Sequence, residues 1–321
     1  MTSALVLGCG SIGRRHAGNL AQMGVDVYTF DARSDAAAAV AMEMGGRAID
    51  QRDSAPDVDI VVVATPSVDH VGDIEWALRR GAHVFVEKPL GTSTADVRRA
   101  RELAAQYSDR RVMVACNMRF TQGYEALRRT LDDIGRPITV LAEFGWYLPC
   151  WRPHADYRTS YSARRELGGG IVLDAIHELD FVIALAGPVA GVSALCTTSG
   201  LLELDVEDTA DILLRHEAGT VSHIHVDYLQ PVYTRWCKVL TADGMAMWDF
   251  AHGTLRVCRK PGAEWTTLLD DVDTDRDKMY VAEIASFLDA VQTGSRPIND
   301  IEAAAEVLEV ALEVRRVGGV G

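Results

Sequence analysis

The sequence has little positive charge, which limits the partners that the protein can bind. Its 321 residues include 32 Lys and Arg against 46 Asp and Glu, a net charge of −14. Nucleic acids and anionic membrane surfaces are bound by clustered Lys and Arg, so we expect neither a nucleic-acid partner nor a membrane partner. No apolar run approaches the roughly 20 residues that a transmembrane helix needs. The first predicted strand begins within three residues of the start, which leaves no room for a signal peptide.

Cysteine pairs are also lacking. The six cysteines are scattered, with no CxxC spacing and no arrangement typical of metal ligands. Scattered cysteines are typical of reduced, packed thiols. We therefore expect a cytoplasmic protein without a structural metal.

A glycine-rich turn organises the beginning of the chain. Residues 4–7 are apolar, and residues 8–13 read GCGSIG. Gly8 permits a tight turn, Gly10 lets the backbone approach a pyrophosphate, and Gly13 lets a helix pack closely on the preceding strand. The alternative is a plain strand-to-helix turn.

The segment after the turn supports a dinucleotide site. A helix is predicted over residues 14–23 and a strand over residues 25–30, which ends at Asp31. Asp31 would accept hydrogen bonds from the ribose hydroxyls of NAD. Arg33 could instead pair with a 2′-phosphate, so NADP remains the alternative cofactor.

Three further strands continue a βαβαβ rhythm, which predicts a doubly wound parallel α/β sheet. The strands cover residues 59–64, 83–86 and 112–115, with helices over 68–80 and 94–107 between them. In such sheets, ligands lie beyond the carboxyl ends of the strands. The residues at those ends are Thr65, Glu87, Lys88 and Asn117.

The second part of the chain has a different pattern. Seven strand-like runs lie between residues 137 and 259, joined in part by hairpin turns, and two helices over 278–292 and 300–316 follow. This predicts an α+β domain with a large, mostly antiparallel open sheet flanked by helices. We divide the chain into domains 1–119 and 120–321. Because the helices cover only one sheet face, we expect a homodimer or homotetramer formed through the other.

Lys88 lies at the end of a buried strand, between Glu87 and Pro89. A lysine at that position is predicted to point toward a cleft, where desolvation and neighbouring charges tune it. The other interpretation is a solvated lysine on a loop.

A second informative stretch, residues 168–180, reads GGGIVLDAIHELD. We predict one helix to about residue 185, on which Asp174 and His177 share a face. The helix is otherwise nearly all apolar, and buried polar groups are costly unless they are paired or used. Asp174 could hold His177 in one tautomer for general acid/base catalysis. A satisfied buried pair is the alternative, and a zinc site would need ligands that the sequence does not offer at a suitable spacing.

The loop over residues 146–161 is rich in aromatic and cationic residues. Aromatic faces beside hydrogen-bonding groups suit a sugar-like ligand. They also suit a subunit interface.

These motifs resemble the Gfo/Idh/MocA oxidoreductases, which include glucose-fructose oxidoreductase and inositol dehydrogenase. The resemblance covers residues 4–316 and is carried by GCGSIGRRH at 8–16, ATP at 64–66 with His70, EKP at 87–89, NMRF at 117–120, GGGIVLDAIHELD at 168–180 and YVAEIASFLDAV at 280–291. It implies an N-terminal Rossmann domain and an NAD(P)-dependent dehydrogenase of a sugar, amino sugar or cyclitol. The LDxxHExD form with the WYLPxWRP…DY stretch is similar to the subgroup found in nonulosonic-acid and amino-sugar pathways.

The resemblance also implies roles for individual residues. Lys88 is implied as the catalytic lysine, His177 as the acid/base, and Asp174 as a residue that binds substrate or supports the histidine. Many members have the His four positions after the Asp, whereas here it is three positions after, which leaves the role of Asp174 open. The implied cofactor residues are Gly8, Gly10, Ser11, Ile12, Gly13, Asp31, Arg33, Thr65, Pro66, His70, Glu87, Lys88 and Asn117. The substrate residues are Arg119, Trp151, Arg152, Tyr161, Asp174 and His177.

Two other activities occur within the same family. One is a non-catalytic NAD(P)-binding sensor or regulator that keeps the fold, and the other is an NAD-dependent glycosidase. The presence of Lys88 and His177 favours the dehydrogenase over the regulator. The missing export signal argues against the glycosidase.

Overall fold

The computed structural model describes residues 2–270 and 277–320. They form two compact units. The first contains residues 2–117 and 277–308, and the second contains residues 118–270 and 309–320.

The first unit is built on a six-stranded parallel sheet with the strand order β3-β2-β1-β4-β5-β6. The strands are β1 (Ser3–Leu7), β2 (Asp26–Phe30), β3 (Arg47–Ala48), β4 (Ile60–Val63), β5 (His83–Val86) and β6 (Val112–Val114). The helices between them are α1 (Ser11–Gln22), α2 (Ser34–Met44), α3 (His70–Arg79) and α4 (Thr94–Gln106). The doubly wound parallel sheet predicted from the sequence is confirmed.

The central strands are apolar because they are covered on both faces. Val62 and Val63 on β4 and Val84 and Val86 on β5 have no exposed surface. Continuous β-branched runs of this kind are typical of parallel sheets. The edge strand β3 has only two residues, both exposed, and its sequence carries no such signal.

The first unit also contains α8 (Asp277–Thr293) and the first residues of α9 (Ile301–Val317). This differs from the sequence-based division, which assigned everything after residue 119 to the second domain. The physical reason is burial: Phe287 on α8 packs on Phe85 of β5, with 5.6 Å between ring centroids. Near the carboxyl end of β6, the Cys116 N–H donates to the Glu283 carboxylate of α8.

The second unit is built on an eight-stranded sheet with the order β14-β13-β12-β11-β7-β10-β9-β8. The strands are β7 (Thr139–Gly145), β8 (Val189–Thr197), β9 (Thr209–His216), β10 (Val221–Asp227), β11 (Thr234–Leu240), β12 (Met245–Asp249), β13 (Thr254–Cys258) and β14 (Thr266–Asp270). All pairs are antiparallel except β7 with β10. The predicted mostly antiparallel sheet is confirmed. The strand β14 was not predicted, because four of its five residues are exposed and none alternates into a core.

Helices cover one face of this sheet. Side chains alternate along β9, where Ile212 and Leu214 are buried and Asp211 and Leu213 are exposed. The helix α5 (Gln122–Ile134) packs against the buried face. A Cβ atom at Gly123 would overlap the Trp248 ring of β12, so glycine permits this close approach.

The helix predicted over residues 171–185 is interrupted, so the expectation of one continuous helix is wrong. It forms α6 (Ile171–Asp174) and α7 (Ile176–Ala186), with Ala175 between them at φ −91° and ψ 27°. The cause is local hydrogen bonding. The Asp174 carboxylate is held by side chains from outside the helix, as described below, and these bonds fix the end of α6.

Candidate active site

The glycine turn combines two packed glycines with one open glycine. Gly8 has φ +88°, and a Cβ atom there would overlap the Ala64 carbonyl that follows β4. A Cβ at Gly13 would overlap the Gly8 carbonyl, whereas one at Gly10 would meet no atom within 4 Å. Gly8 and Gly13 are therefore required by packing, and Gly10 exposes backbone that a ligand can approach.

The start of α1 is suited to an anion. The helix begins at Ser11 with Gly10 as its N-cap, and Gly10 supplies no side-chain cap. The first N–H groups of a helix have no partner within it, and the helix dipole favours negative charge there. The amides of Ser11, Ile12 and Gly13 could therefore hold the pyrophosphate of a dinucleotide.

Asp31 is fixed at the end of β2 by two backbone amides. Its Oδ2 accepts from the Cys9 N–H at 2.7 Å, and its Oδ1 accepts from the Arg33 N–H at 2.9 Å. The Asp31 side chain is 15% exposed, whereas that of Arg33 is 72% exposed. Each carboxylate oxygen keeps a second lone pair that a ribose hydroxyl could use.

The residues that follow β4 are held by α3. The Thr65 hydroxyl donates to Asp73 Oδ2 at 2.7 Å, and Asp73 Oδ1 also accepts from Arg52 at 2.5 Å. The Pro66 carbonyl accepts from the Asp69 N–H at 2.9 Å. Any contact of Thr65 and Pro66 with a cofactor would therefore involve a rigid turn.

His70 is buried and uses both ring nitrogens. Its Nδ1 lies 2.7 Å from the Pro89 carbonyl oxygen, and its Nε2 lies 2.9 Å from the Thr65 carbonyl oxygen. Only 1% of the residue is exposed. Burial lowers the pKa of His70, so the ring is neutral and donates to one of the two carbonyl oxygens, while both nitrogens face protein atoms.

The Glu87–Lys88 segment follows β5. Glu87 Oε1 lies 2.7 Å from Nε2 of His16, a fully buried residue of α1. Lys88 is half-buried, and its backbone N–H lies 3.3 Å from Glu87 Oε2. At the end of β6, Asn117 is 7% exposed. Among the described residues, its buried Oδ1 has no hydrogen-bond partner, which suits a ligand that donates a hydrogen bond.

In the second unit, the Asp174 carboxylate is surrounded by hydroxyls. Its Oδ1 accepts from Tyr161 at 2.7 Å, and its Oδ2 accepts from Ser162 at 2.6 Å and Tyr228 at 3.1 Å. Only 6% of Asp174 is exposed. Hydrogen bonds of this kind stabilise the ionised form of a buried carboxylate.

His177 lies in the first turn of α7 and is 9% exposed. The next residue, Glu178, is fully buried and binds Arg235 of β11 through two hydrogen bonds, at 2.6 and 2.9 Å. A bidentate pair fixes both partners in one geometry. It therefore anchors the turn that carries His177 to the sheet.

Arg119 pairs with Asp180, a buried residue of α7. Its guanidinium donates to both carboxylate oxygens of Asp180, at 2.7 and 2.6 Å. Its side chain is 10% exposed. The predicted contact of Arg119 with substrate remains a prediction, and the ion pair gives it a second task in fixing α7.

The aromatic side chains of the 146–161 loop form a cluster with neighbouring strands. The Trp146 and Trp151 rings stack with centroids 6.1 Å apart, and Tyr233 meets Trp146 edge-on at 5.5 Å. Trp151 also contacts Tyr228, which binds Asp174, at 5.4 Å. The cluster is therefore continuous with the Asp174 carboxylate. Arg152 is exposed, and its guanidinium lies over the Tyr161 ring at 5.8 Å.

Sequence reasoning missed several of these residues. Ser162, Tyr228 and Arg235 match no motif, whereas Glu178 lies within the 168–180 stretch without a predicted role. A signal existed only for Glu178, an acid inside an apolar helix. In the ranges 2–270 and 277–320, no group of three or more His, Cys, Asp or Glu could hold a metal ion. No helix within the same ranges is long and apolar enough to cross a membrane.

Comparisons with known proteins agree with this architecture. Residues 2–116 match the model of an oxidoreductase family with an NAD-binding Rossmann fold, GFO_IDH_MocA, and residues 124–247 match the GFO/IDH/MocA C-terminal domain. UDP-N-acetylglucosamine 3-dehydrogenase of Acidithiobacillus ferrooxidans is 28% identical over 97% of this chain and 95% of its own. Inositol 2-dehydrogenase of Rhizobium meliloti is 29% identical over 90% of this chain and 88% of its own.

A solved structure shows the same fold. The complex of levoglucosan dehydrogenase with NADH superposes with a TM-score of 0.89 over 99% of this chain and 97% of its own, at 17% identity.

Proposed function

This chain belongs to the Gfo/Idh/MocA family of NAD-dependent oxidoreductases, and from that premise we propose that it oxidises a secondary alcohol of a sugar, amino sugar or cyclitol, or reduces the ketone. Its relatives include a dehydrogenase of UDP-N-acetylglucosamine and a dehydrogenase of inositol. Both substrates are polyhydroxylated rings.

The observation that carries the proposal is the surroundings of Asp174. A buried carboxylate with three hydroxyl donors lies next to a cluster of stacked indole rings. Sugar rings pack their C–H faces on aromatic rings and place hydroxyls on charged acceptors. Trp151, Arg152 and Tyr161 would bind the substrate here, with Arg119 as a further candidate.

The chemistry then requires one proton transfer and one hydride transfer. The bound cofactor would supply the hydride chemistry: NAD would accept a hydride from the carbinol carbon, or NADH would donate one to the ketone. His177 would take the hydroxyl proton as general base, and Lys88 would stabilise the negative charge that develops on the oxygen. Asp174 would bind a substrate hydroxyl or support His177.

The proposed cofactor-binding residues all lie in the first unit. Asp31 would bind the ribose, the turn over residues 8–13 would bind the pyrophosphate, and Asn117 would offer its buried amide oxygen. Arg33 would permit NADP as a weaker alternative.

Assembly and location complete the proposal. A homodimer or homotetramer would form through the exposed face of the eight-stranded sheet, whose large apolar side chains include Leu195 and Leu213. The enzyme would act in the cytoplasm, without a nucleic-acid or membrane partner.

The test is a substrate panel. Purified protein is incubated with NAD and with nucleotide sugars, amino sugars, free sugars and inositols, and NADH is measured by its absorbance. General acid/base catalysis contributes typically about 10²–10⁴-fold, so His177→Ala should lower kcat by about that factor. Lys88→Ala should act similarly, while NADH binding, followed by fluorescence, survives both changes.

His252→Ala is the control, because His252 is exposed and binds only Asp249 in the described contacts. Its kcat should be unchanged. A wild-type protein that binds NADH and a sugar without turnover would instead be a regulator.

A further inference from the structure

The catalytic candidate Lys88 is flanked by two buried histidines. His16 Nε2 lies 2.7 Å from the carboxylate of the preceding residue, Glu87. His70 Nδ1 lies 2.7 Å from the carbonyl oxygen of the following residue, Pro89. The residues on both sides of Lys88 are thus each held by an imidazole from a different helix, α1 or α3.

Each histidine is itself fixed. The His16 ring meets Phe85 of β5 edge-on, with centroids 5.0 Å apart, and Tyr280 of α8 at 6.2 Å. His70 is fixed by its second nitrogen, 2.9 Å from the Thr65 carbonyl at the end of β4. Buried imidazole nitrogens are costly to leave unpaired, and among the described residues Nδ1 of His16 has no hydrogen-bond partner. The contact with Glu87 is therefore the hydrogen bond that His16 makes in its buried position.

The contact with His16 also sets the charge next to Lys88. Burial alone would raise the pKa of Glu87, but the hydrogen bond with His16 and the nearby charge of Lys88 bring that pKa below its usual range. Glu87 is therefore ionised at neutral pH. A carboxylate held in this way gives the adjacent lysine a fixed counter-charge.

His16 lies on the same helix as the phosphate-binding turn. The helix α1 begins at Ser11, so His16 lies about one turn after the amides of residues 11–13 that are suited to the pyrophosphate. The same rigid helix therefore contacts both the cofactor turn and Glu87.

We propose that His16 and His70 are positioning residues that hold Lys88 from its two sides, His16 through Glu87 and His70 through Pro89. The assignment rests on the proposed function, because it concerns the placement of the lysine that acts in that reaction. Neither histidine touches the substrate. Misplacing a reacting group by about 1 Å can cost roughly 100-fold in rate.

Replacing His70 with asparagine or glutamine tests its two contacts separately. Asparagine places its amide near the position of Nδ1, and glutamine places its amide near the position of Nε2. His70→Asn therefore keeps a donor toward Pro89, whereas His70→Gln keeps one toward Thr65. We expect kcat to fall roughly tenfold or more in His70→Gln and less in His70→Asn, with the dissociation constant of NADH within about twofold of wild type.

The same logic applies to His16. Glutamine keeps a donor near Nε2, and leucine removes it while filling the space. His16→Leu should lower kcat and change the pH profile of kcat, because Glu87 loses its donor, and His16→Gln should restore most of both. The control is His83→Gln at the other end of β5, where His83 Nδ1 accepts from the Arg111 N–H at 2.9 Å. Its kcat and pH profile should match wild type even if its melting temperature falls.

A second readout does not depend on turnover. The acetylation rate of Lys88 by an amine-specific reagent, followed by mass spectrometry, should change several-fold in His16→Leu and His70→Gln but not in His83→Gln. Unchanged acetylation and unchanged kcat in both variants would overturn the positioning role. Altered acetylation in a protein that turns over no substrate would leave the positioning role supported and overturn the proposed function instead.

Discussion

At the scale of single residues, Asp31 is the carboxylate on which cofactor preference depends. Two backbone amides, from Cys9 and Arg33, fix its orientation at the end of β2. A 2′-phosphate placed beside this carboxylate would be repelled, because both groups are negative at neutral pH. A ribose 2′-hydroxyl would instead donate to it.

Asp31→Ala should therefore weaken NAD binding far more than NADP binding, because the hydrogen bond to the ribose is lost for NAD while the repulsion of the 2′-phosphate is relieved for NADP. Hydrogen bonds to charged groups contribute about 1.5–3 kcal/mol, which corresponds to roughly a 10- to 100-fold loss of affinity. Fluorescence titration with NADH and NADPH measures both values. Arg33→Ala is the matched control and should barely change NADH binding. Equal losses of both cofactors in Asp31→Ala would mean that Asp31 serves the fold alone.

The residues of the site differ in how far the sequence could predict them. The spacing from the glycine turn predicted a strand that ends at Asp31, and β2 ends immediately before it. The cofactor role of Asp31 and the roles of Asp174 and His177 stay predictions. Tyr228 and Ser162 could not be predicted, since a hydroxyl that binds a carboxylate 54 or 12 positions away leaves no local pattern. The proposed positioning roles of His16 and His70 could not be predicted either, because they depend on which loops contact α1 and α3 in the folded protein.

At the scale of elements, the junction of the glycine segment with α6 depends on a buried carboxylate. Gly170 has φ +110°, and a Cβ atom there would overlap the Glu207 carboxylate. Glu207 is fully buried, its backbone carbonyl accepts from the Ile171 N–H at 3.1 Å, and Arg315 of α9 lies 3.5 Å from its Oε1. Only glycine at position 170 therefore leaves room for the Glu207 carboxylate at the start of α6.

Gly170→Ala should destabilise the protein for two reasons, the positive φ and the clash with Glu207. Backbone strain of this kind costs about 1–3 kcal/mol, and the clash adds to it. Gly187→Ala is the matched control, because Gly187 has φ +88° but no atom within 4 Å of a Cβ. Thermal unfolding should show a larger decrease in melting temperature for Gly170→Ala. Equal decreases would show that Glu207 moves aside without cost.

At the scale of the whole molecule, the fold class followed from periodicity, and the exceptions have physical causes. Buried β-branched runs identified the parallel sheet, and alternation with hairpin turns identified the second sheet. The assignment of α8 to the first unit did not follow, because an amphipathic helix does not reveal which sheet its apolar side chains will contact. Phe287 packs on Phe85, about 200 residues earlier in the chain.

The exposed face of the eight-stranded sheet carries apolar and charged groups side by side. Leu195 and Leu213 are 74% and 50% exposed. Near them, His225 lies between Asp211 and Asp227, at 2.9 and 3.1 Å. Hydrogen bonding to Asp227, and then to Asp211, raises the pKa of His225 to about 9. At neutral pH the imidazolium therefore balances part of the acidic charge on this face.

If this face joins copies of the chain, Leu213→Glu should dissociate the assembly, because it would bury an unpaired charge in the interface. Leu201→Glu is the control, since Leu201 is 75% exposed in a loop outside the sheet. Sedimentation at micromolar concentration should show a monomer for Leu213→Glu only. Because the pKa of His225 is raised above its ordinary value of about 6.5, its stabilising charge is fully present below that pH and is lost as pH rises through about 9. Thermal unfolding of the wild type should therefore show a melting temperature that falls as pH rises through about 9, because Asp211 and Asp227 lose the imidazolium between them. A wild-type monomer at pH 7, or a Leu213→Glu variant that still assembles, would exclude this face as the interface.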